Sequence, residues 1–283
     1  MNVNWYPGHM VKAKRLISED LRLIDIVLEI RDARVPTSSA NPDFEDLFLN
    51  KSRIVFLNKS DLADPSHTGD WIKWFSEKGI KAVPVNSLDP KDTGRARKAI
   101  LSAAEAFHKE ILEKRGIKKT IRGMAVGIPN VGKSAFINGI AGGKKAKTGN
   151  KPGVTRIKQW IRINPYLELL DTPGLLWPRL DQRITALNLA YTRTIKEEIL
   201  DIEEIAHNFL ETAKLKFPKA LVSRYGELDM GLRGYEILSE ICIQKAWIQA
   251  GGIADLMRGA SHVLDDFQQG RLGRITLEMP AEI

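Results

Sequence analysis

Two short motifs in this chain have the residue types and the spacing of a nucleotide-binding site. The first is Asn58-Lys59-Ser60-Asp61, and the second is Gly127-Ile-Pro-Asn-Val-Gly-Lys133-Ser134. The second spacing is that of a loop whose backbone N–H groups surround phosphates. The first ends in a carboxylate, which accepts hydrogen bonds and donates none when it is ionised. Together they predict a guanine nucleotide site whose base-binding motif precedes its phosphate-binding motif.

The phosphate-binding prediction depends on the elements around the glycine-rich loop. A β-branched run at residues 122–126 precedes the loop, and a helical pattern starts at Lys133. In that setting the helix N-terminus favours anions, Lys133 reaches the β- and γ-phosphates, and the Ser134 hydroxyl ligates Mg²⁺. The residues predicted to contact the phosphates are Asn130, Val131, Gly132, Lys133, Ser134 and Ala135.

Asp171-Thr-Pro-Gly174 follows the last predicted strand and should face the same phosphates. Its carboxylate can hold Mg²⁺ through water, and the Gly174 N–H can bond the γ-phosphate. Thr155 lies between the glycine-rich loop and the predicted hairpin at 157–170, where its hydroxyl is the candidate second Mg²⁺ ligand; the alternative is a loop cap. Lys133, Thr155 and Gly174 are therefore the candidate catalytic contacts.

The base specificity is predicted from the segment Asn58–Asp61. Asp61 can accept from both guanine N1–H and the 2-amino group, and adenine has no such pair of donors. Asn58 would form hydrogen bonds to the base and to the phosphate-binding loop. The Lys59 stem would lie over the guanine ring, and Ser60 is also predicted to contact the nucleotide. Asn86-Ser87, after another predicted strand, would supply a backbone N–H to guanine O6.

Length and charge indicate two domains and a polyanionic partner. The chain has 283 residues and a net charge of +8. Residues 1–180 contain 31 Lys and Arg against 19 Asp and Glu, whereas the remaining residues are net acidic. Contacts to a phosphate backbone are therefore expected through the first part. No apolar run is long enough to cross a membrane and Cys242 is a lone core cysteine, so we expect a cytoplasmic protein.

The pattern of elements predicts an α/β fold with six strands in a mostly parallel sheet. The predicted strands are 24–30, 54–57, 81–85, 122–126, 157–163 and 166–170, the last two forming an antiparallel hairpin. Helices are predicted between them, and the aromatic residues Trp71, Trp74 and Phe75 are expected to face the core rather than stack on bases. The later helical patterns at 184–195, 199–213 and 235–249 predict a GTPase domain over 1–178 and an all-α domain over 179–283.

With these motifs in view, the chain resembles the YlqF/RbgA family of circularly permuted ribosome biogenesis GTPases. The shared features include the permuted motif order, Trp5-Tyr-Pro-Gly-His-Met10, Arg31-Asp-Ala-Arg-Val-Pro-Thr-Ser38 and Asn41-Pro42. The resemblance extends over nearly the whole chain. It implies GTP hydrolysis stimulated by the large ribosomal subunit, a role in assembling that subunit, and a helical domain that helps to hold ribosomal RNA.

Two groups of basic residues are candidates for RNA contact. One lies around Thr155 and has no acidic neighbours, so RNA could order that loop directly. Its members are Lys144, Lys145, Lys147, Lys151, Arg156 and Lys158. The other, in the acidic C-terminal part, is either an RNA patch or a solvated helix end. Its members are Lys214, Lys216, Lys219 and Arg224.

The hydrolytic chemistry requires a group that the motif Asp171-Thr-Pro-Gly174 does not supply. Leu175 follows Gly174, where Ras-like enzymes place a glutamine that orients water, so intrinsic hydrolysis should be slow. His9 is a candidate for positioning water, although its segment could instead anchor the N-terminus or touch RNA. Asn130 is a candidate K⁺ ligand, or a loop cap. Asp32 and Arg34 are either a charged strand end or neighbours of the nucleotide.

Three functions are consistent with these patterns. The favoured one is a GTPase that binds the immature large subunit and couples hydrolysis to a late assembly step and its own release, acting as a monomer. The others are a GTP-regulated RNA-binding switch without essential hydrolysis, and another translation-linked GTPase.

Overall fold

A computed structural model describes residues 17–48, 50–117, 119–143, 159–172, 174, 182–195 and 201–282 of the chain. Within these ranges the structure consists of a six-stranded sheet covered by helices, followed by a group of packed helices.

The sheet has the order β3-β2-β1-β4-β6-β5. All pairs are parallel except β5 with β6, so the antiparallel hairpin predicted at one edge is confirmed. Every residue of the central strand β1 is buried, as expected for a parallel strand covered on both faces. The strands are β1 Ile26–Asp32, β2 Ser52–Asn58, β3 Lys81–Val85, β4 Ile121–Val126, β5 Gln159–Asn164 and β6 Leu167–Asp171.

Helices cover both faces of this sheet. Helices α3 and α4 pack on one face around Leu28, Phe56 and Phe136. Helices α1 and α2 pack on the other face, where Trp71 and Phe75 are buried, so the core interpretation of the aromatic group is confirmed. The bounds are α1 Asp43–Phe48, α2 Pro65–Glu77, α3 Pro90–Arg115 and α4 Lys133–Ala141.

Local sequence signals explain where α2 and α3 begin and end. Asp64 caps α2 by accepting from Ser66 N and His67 N, and a proline follows the cap. Asp89 caps α3 in the same way, again with proline next. Gly116 ends α3 with a left-handed φ of 66°. Both helices therefore start directly after the loops at the carboxyl ends of β2 and β3.

The C-terminal helices form a second hydrophobic cluster around Phe209, Leu238 and Phe267, which also contains the predicted core residue Cys242. Helix α5 contributes to both cores, since Leu189 packs with the sheet and Tyr191 with the helices. The bounds are α5 Arg183–Tyr191, α6 Ile202–Lys216, α7 Pro218–Tyr225, α8 Gly234–Gln244 and α9 Leu256–Gln268.

The helix predicted over 235–249 is shorter than expected. It ends at Gln244, because Ala246 has a φ of 53° and Ile248 pairs with Ala254 in an isolated antiparallel bridge. Helices α1, α7 and α9 lie outside the predicted helices. None of the helices in the described ranges is long and apolar enough to cross a membrane.

The C-terminal tail, residues 271–282, returns from α9 to the α/β part. Ile275 N donates to Leu62 O at 3.0 Å, and Leu277 N donates to Arg34 O at 2.8 Å. Trp71 Nε1 donates to the Glu278 carbonyl at 2.9 Å. The tail therefore crosses the loops that follow β1 and β2.

Candidate functional site

Asn58, at the end of β2, connects the three loops that the sequence assigns to a nucleotide. Its Nδ2 donates to Val131 O in the glycine-rich loop at 2.7 Å. Its Oδ1 accepts from Ser87 Oγ at 2.7 Å and from Ser87 N at 3.1 Å. The side chain is buried, so each of these bonds replaces water that it has lost. The base-binding, phosphate-binding and Asn86-Ser87 segments thus meet at one place.

The glycine-rich loop has the backbone that phosphate binding requires. Asn130 and Gly132 have φ values of 62° and 90°, in the left-handed region. A Cβ on Gly132 would collide with Asn58 Nδ2, and one on Gly127 would lie 2.7 Å from Ile30 O. These two positions therefore need glycine because neighbouring strands and loops approach so closely. The loop leads into α4, whose first turn has no acidic residue to oppose an anion.

Lys133 and Asp171 form a buried ion pair between the phosphate-binding loop and the end of β6. Burial lowers the pKa of Lys133, and the charge and hydrogen bond of Asp171 partly offset that effect. Gly174 lies beside the same loop, since a Cβ built on it would be 3.1 Å from Pro129 Cα. The glycine-rich loop and the segment Asp171–Gly174 therefore lie against each other at the carboxyl ends of β4 and β6.

The base-binding loop is held in a defined conformation. Lys59 has a φ of 59°, and Ser60 N donates to Val85 O at 3.2 Å. Asp61 is exposed at the end of the loop. On the neighbouring loop, Asn86 N donates to Asp92 Oδ2 at 2.9 Å, while Asn86 Oδ1 accepts from Leu88 N. The two loops therefore stand side by side beyond the ends of β2 and β3.

Asp32 and Arg34 lie beside the base-binding loop. Asp32 is the register partner of Asn58, and its Oδ2 lies 3.0 Å from Lys59 Nζ. Burial alone would raise the pKa of Asp32, but the charges of Arg34 and Lys59 outweigh it and hold that pKa well below its ordinary value. The parallel pairing of β1 with β2 is the signal that places Asp32 beside Asn58, and a role of Asp32 and Arg34 next to the nucleotide stays a prediction.

Asn130 also contacts the C-terminal part of the chain. Its Nδ2 donates to Arg193 O at 2.5 Å, just beyond α5. Arg193 itself has a left-handed φ of 60°. The phosphate-binding loop is thereby joined to the segment that leads into the helical cluster.

Several predicted site residues lie outside the described residues. They are His9, Lys144, Lys145, Lys147, Lys151, Thr155, Arg156, Lys158 and Leu175.

The second basic group is largely used for internal contacts. Lys214 Nζ donates to Leu232 O at 2.7 Å, and Lys216 Nζ donates to Leu277 O at 2.9 Å. Arg224 pairs with the buried carboxylate of Asp266 at 2.7 Å. These three cations stabilise the helical cluster and its tail, which argues against an RNA patch at this position.

Comparisons with known proteins agree with the geometry. Residues 122–220 match the model of a family described as 50S ribosome-binding GTPase. Ribosome biogenesis GTPase A of Bacillus cereus is 40% identical over 286 residues, covering 100% of this chain and 95% of the relative. The protein of that name from Thermotoga maritima is 29% identical over 283 residues, covering 99% of this chain and 96% of the relative.

Solved structures show the same relationship. A GDP-bound YlqF structure superimposes with a TM-score of 0.67 at 25% identity, covering 94% of this chain and 100% of that chain. YlqF of T. maritima with the ligand GNP gives a TM-score of 0.65 at 27% identity, covering 96% of this chain and 100% of that chain. The circularly permuted P-loop GTPase fold and the guanine nucleotide predicted from the motifs, and the hydrolytic activity implied by the resemblance, are therefore confirmed. The chain belongs to the ribosome biogenesis GTPase A family, whose members are GTP hydrolases of ribosome assembly.

Proposed function

We propose that this GTPase binds the immature large ribosomal subunit and couples GTP hydrolysis to a late assembly step and to its own release. The observation that carries the proposal is the joining of both nucleotide motifs by Asn58, combined with the contact of Asn130 to Arg193. A nucleotide at this site would therefore be bonded to a loop that also touches the helical part of the chain. The relatives' names, which include mitochondrial ribosome-associated GTPase 1, support a ribosomal partner.

In this proposal each loop recognises one part of GTP. Asp61 accepts from the guanine N1–H and 2-amino groups, the Lys59 stem covers the ring, and Ser60 and the Asn86-Ser87 segment border the base. The phosphates lie against the backbone from Asn130 to Ala135, with Lys133 facing the β- and γ-phosphates. Gly174, beside Pro129, would donate its N–H to the γ-phosphate.

The side-chain oxygen atoms at the phosphate end of the site are suitable ligands for Mg²⁺, which prefers hard oxygen ligands. The buried Asp171 carboxylate holds the cationic Lys133 group, so this position favours positive charge. Ser134, Asp171 and Thr155 would hold the ion directly or through water. Bound Mg²⁺ would offset the negative charge of the β- and γ-phosphates.

The hydrolytic step needs a positioned water and positive charge near the γ-phosphate. Leu175 cannot orient water, so turnover without a partner is expected to be slow. We propose that His9 positions the water and that the Asn130 amide oxygen ligates K⁺. Changing His9 to Ala should lower particle-stimulated turnover and leave GTP affinity unchanged; a loss of GTP affinity would contradict the role.

The partner surface in this proposal is the basic group from Lys144 to Lys158. It brackets Thr155, so contact with rRNA could order the loop that holds Mg²⁺. The engagement of Lys214, Lys216 and Arg224 in internal contacts supports this choice over the C-terminal group. The net negative charge of residues 181–283 supports this choice as well.

The proposed domain division places the GTPase domain at 1–178 and the helical domain at 179–283. Because the segment after Gly174 continues into α5 rather than back into the sheet, loss of the γ-phosphate would change the orientation of the helical domain. We propose a cytoplasmic monomer that cycles between free and ribosome-associated states.

Turnover measurements with purified large subunits test this function. Immature large subunits should stimulate multiple-turnover GTP hydrolysis, and co-sedimentation with them should be stronger with a non-hydrolysable GTP analogue than with GDP. Nucleotide-dependent binding without stimulated turnover would favour a GTP-regulated RNA-binding switch. Failure to co-sediment in either state would favour another translation-linked GTPase.

A further inference from the structure

We propose that Asp32 and Arg34 are positioning residues for guanine recognition, and that docking of α9 against Arg34 is needed for tight nucleotide binding. This inference rests on the proposed role of Lys59 at the base. It goes further because it connects Lys59 to the helical part of the chain through two more charged side chains, Asp32 and Arg34.

The stem of Lys59 must lie flat to cover a guanine ring. A lysine side chain has several rotatable bonds, and ordering it costs conformational entropy. Asp32 Oδ2, 3.0 Å from Lys59 Nζ, fixes the far end of that side chain. The left-handed backbone of Lys59 fixes the near end. A lysine restrained at both ends loses less freedom when the base arrives, so nucleotide binding is stronger.

Asp32 could not hold Lys59 if its own side chain were free to rotate or were protonated. Arg34 binds it with two hydrogen bonds, from Nε to Oδ1 at 3.0 Å and from Nη2 to Oδ2 at 2.8 Å. The Arg34 backbone N–H donates to the same Oδ1 at 3.0 Å. This paired geometry sets the plane of the carboxylate. Asp32 thus presents an oriented, ionised oxygen to Lys59.

The remaining side-chain nitrogen of Arg34, Nη1, faces the end of α9. Arg34 Nη1 donates to Phe267 O at 3.4 Å and to Gln268 O at 3.3 Å. The guanidinium also lies 5.0 Å from the centre of the Phe267 ring. The C-terminal end of a helix carries partial negative charge and favours a cation. Arg34 is therefore oriented by the helical cluster as well as by Asp32.

The C-terminal tail supports the same loops. Leu277 N donates to Arg34 O, and Ile275 N donates to Leu62 O, directly after Asp61. If α9 and the tail move away, Arg34 loses its carbonyl partners and the base-binding loop loses a backbone bond. Nucleotide affinity and the position of α9 are therefore coupled in both directions.

Arg31, in β1 and three residues before Arg34, provides a matched comparison. It is buried like Arg34, pairs with Glu29 at 2.8 Å, donates to Pro36 O and lies over the Phe75 ring. Its partners are Glu29 and Glu45 rather than Asp32. Removing Arg31 therefore removes a comparable buried ion pair that is not connected to Lys59.

The test is calorimetric binding of GDP and of inorganic pyrophosphate, with Mg²⁺, to the full-length chain. The variants are Arg34→Met, Arg31→Met, Lys59→Ala and the double variant Arg34→Met with Lys59→Ala. Arg34→Met should weaken GDP by about tenfold, the size expected for hydrogen bonds to a charged group, and leave pyrophosphate unchanged. Arg31→Met should change neither. Arg34→Met should have no further effect once Lys59 is Ala.

The possible failures are distinguishable. If Lys59→Ala leaves GDP affinity unchanged, the proposed base site is refuted. If Lys59→Ala weakens GDP but Arg34→Met does not, or if Arg34→Met weakens GDP and pyrophosphate equally, the positioning role is refuted. An additive effect in the double variant refutes it too. Should Arg34→Met fail to fold, the isosteric Asp32→Asn takes its place with the same expectations.

Discussion

Asn58 and Val131, 73 positions apart in the chain, are joined by a hydrogen bond of 2.7 Å from a side-chain amide to a backbone carbonyl. Strand β2, which ends at Asn58, and strand β4, which leads to Val131, are separated in the sheet by β1. The bond therefore passes the end of β1 and joins the base-binding loop to the phosphate-binding loop. The rotated motif order therefore still brings the two motifs to one place in the fold.

Changing Asn58 to Ala should weaken binding of both GTP and GDP. The change removes bonds to Val131 and Ser87 and leaves the buried polar groups unpaired, a loss of about 2–3 kcal/mol or on the order of 100-fold in affinity. Calorimetry on both nucleotides measures it. The control is Asn164→Ala, in the β5–β6 turn, where the side chain accepts from Tyr166 N. Unchanged affinity in Asn58→Ala would contradict the structural role.

Changing Asp61 to Asn should convert the base preference from guanine to xanthine. The amide can donate to the C2 carbonyl of xanthine but cannot accept both guanine donors. We expect GTP affinity to fall by on the order of 100-fold or more, since a site built around a polar group discriminates strongly when the pairing fails. Competition between GTP and xanthosine triphosphate measures the change. Asp70→Asn, at an exposed position of α2, should retain the original preference.

Asn130 should make GTP turnover sensitive to the monovalent cation. If its amide oxygen ligates K⁺ beside the phosphates, the native chain should hydrolyse GTP faster in K⁺ than in Na⁺, by electrostatic stabilisation of the transition state. Asn130→Ala should make the two rates equal while Mg²⁺ dependence persists. Native rates that are already equal in the two salts would remove the cation from the mechanism.

The contribution of Glu278 in the C-terminal tail to the free energy of unfolding should depend on pH. Its buried carboxylate accepts from Thr37 N at 2.7 Å and from Asn188 Nδ2 at 3.0 Å. Burial raises the pKa of Glu278 above its ordinary value of 4.5, against the opposing effect of these hydrogen bonds.

A raised folded-state pKa means that the folded chain binds this proton more tightly than the unfolded chain. The contribution of Glu278 to stability is therefore largest below pH 4.5 and declines as the pH rises through the folded-state pKa. The free energy of unfolding of Glu278→Gln relative to the native chain should accordingly rise with pH over this interval. Urea denaturation at several pH values measures the difference, and a difference that falls with pH would contradict the assignment.

Gly259 should be intolerant of alanine because α9 packs closely on α8. A Cβ at this position would collide with the buried Cys242 Sγ. Gly259→Ala should lower the free energy of unfolding by about 1–3 kcal/mol, as overpacking does. Adding Cys242→Ala makes space and should recover part of the loss. Gly94→Ala, in α3 with open space around it, should instead stabilise the chain by about 0.5–1 kcal/mol.

The sheet and the nucleotide motifs could be predicted from the sequence because their signals are local. Runs of apolar β-branched residues indicate buried parallel strands, and a glycine-rich loop followed by Lys-Ser has one geometric use between a strand and a helix. The hairpin edge, the capped helices α2 and α3 and the core position of Trp71 follow from the same kind of short-range pattern.

The remaining features depend on contacts between distant parts of the chain. Helix α8 ends at Gln244 although the apolar pattern continues, because a backbone bridge at Ile248 and Ala254 replaces the helical bonds. Lys214 and Lys216 resemble a free basic patch in sequence, yet the carbonyls of Leu232 and Leu277 bind them. Spacing along the chain carries no information about which carbonyl a long side chain will reach.

The sequence by itself determined the fold class, the permuted order of the motifs and the guanine nucleotide, since each depends on residues within a few positions of one another. Only the tertiary structure decided that Asp32 orients Lys59, that Arg34 connects Asp32 to α9, and that the tail lies across the loop after Asp61. The physical reason is that these contacts join strand ends and helix ends brought together by folding. Their energies depend on distance in space and on burial rather than on separation in the chain.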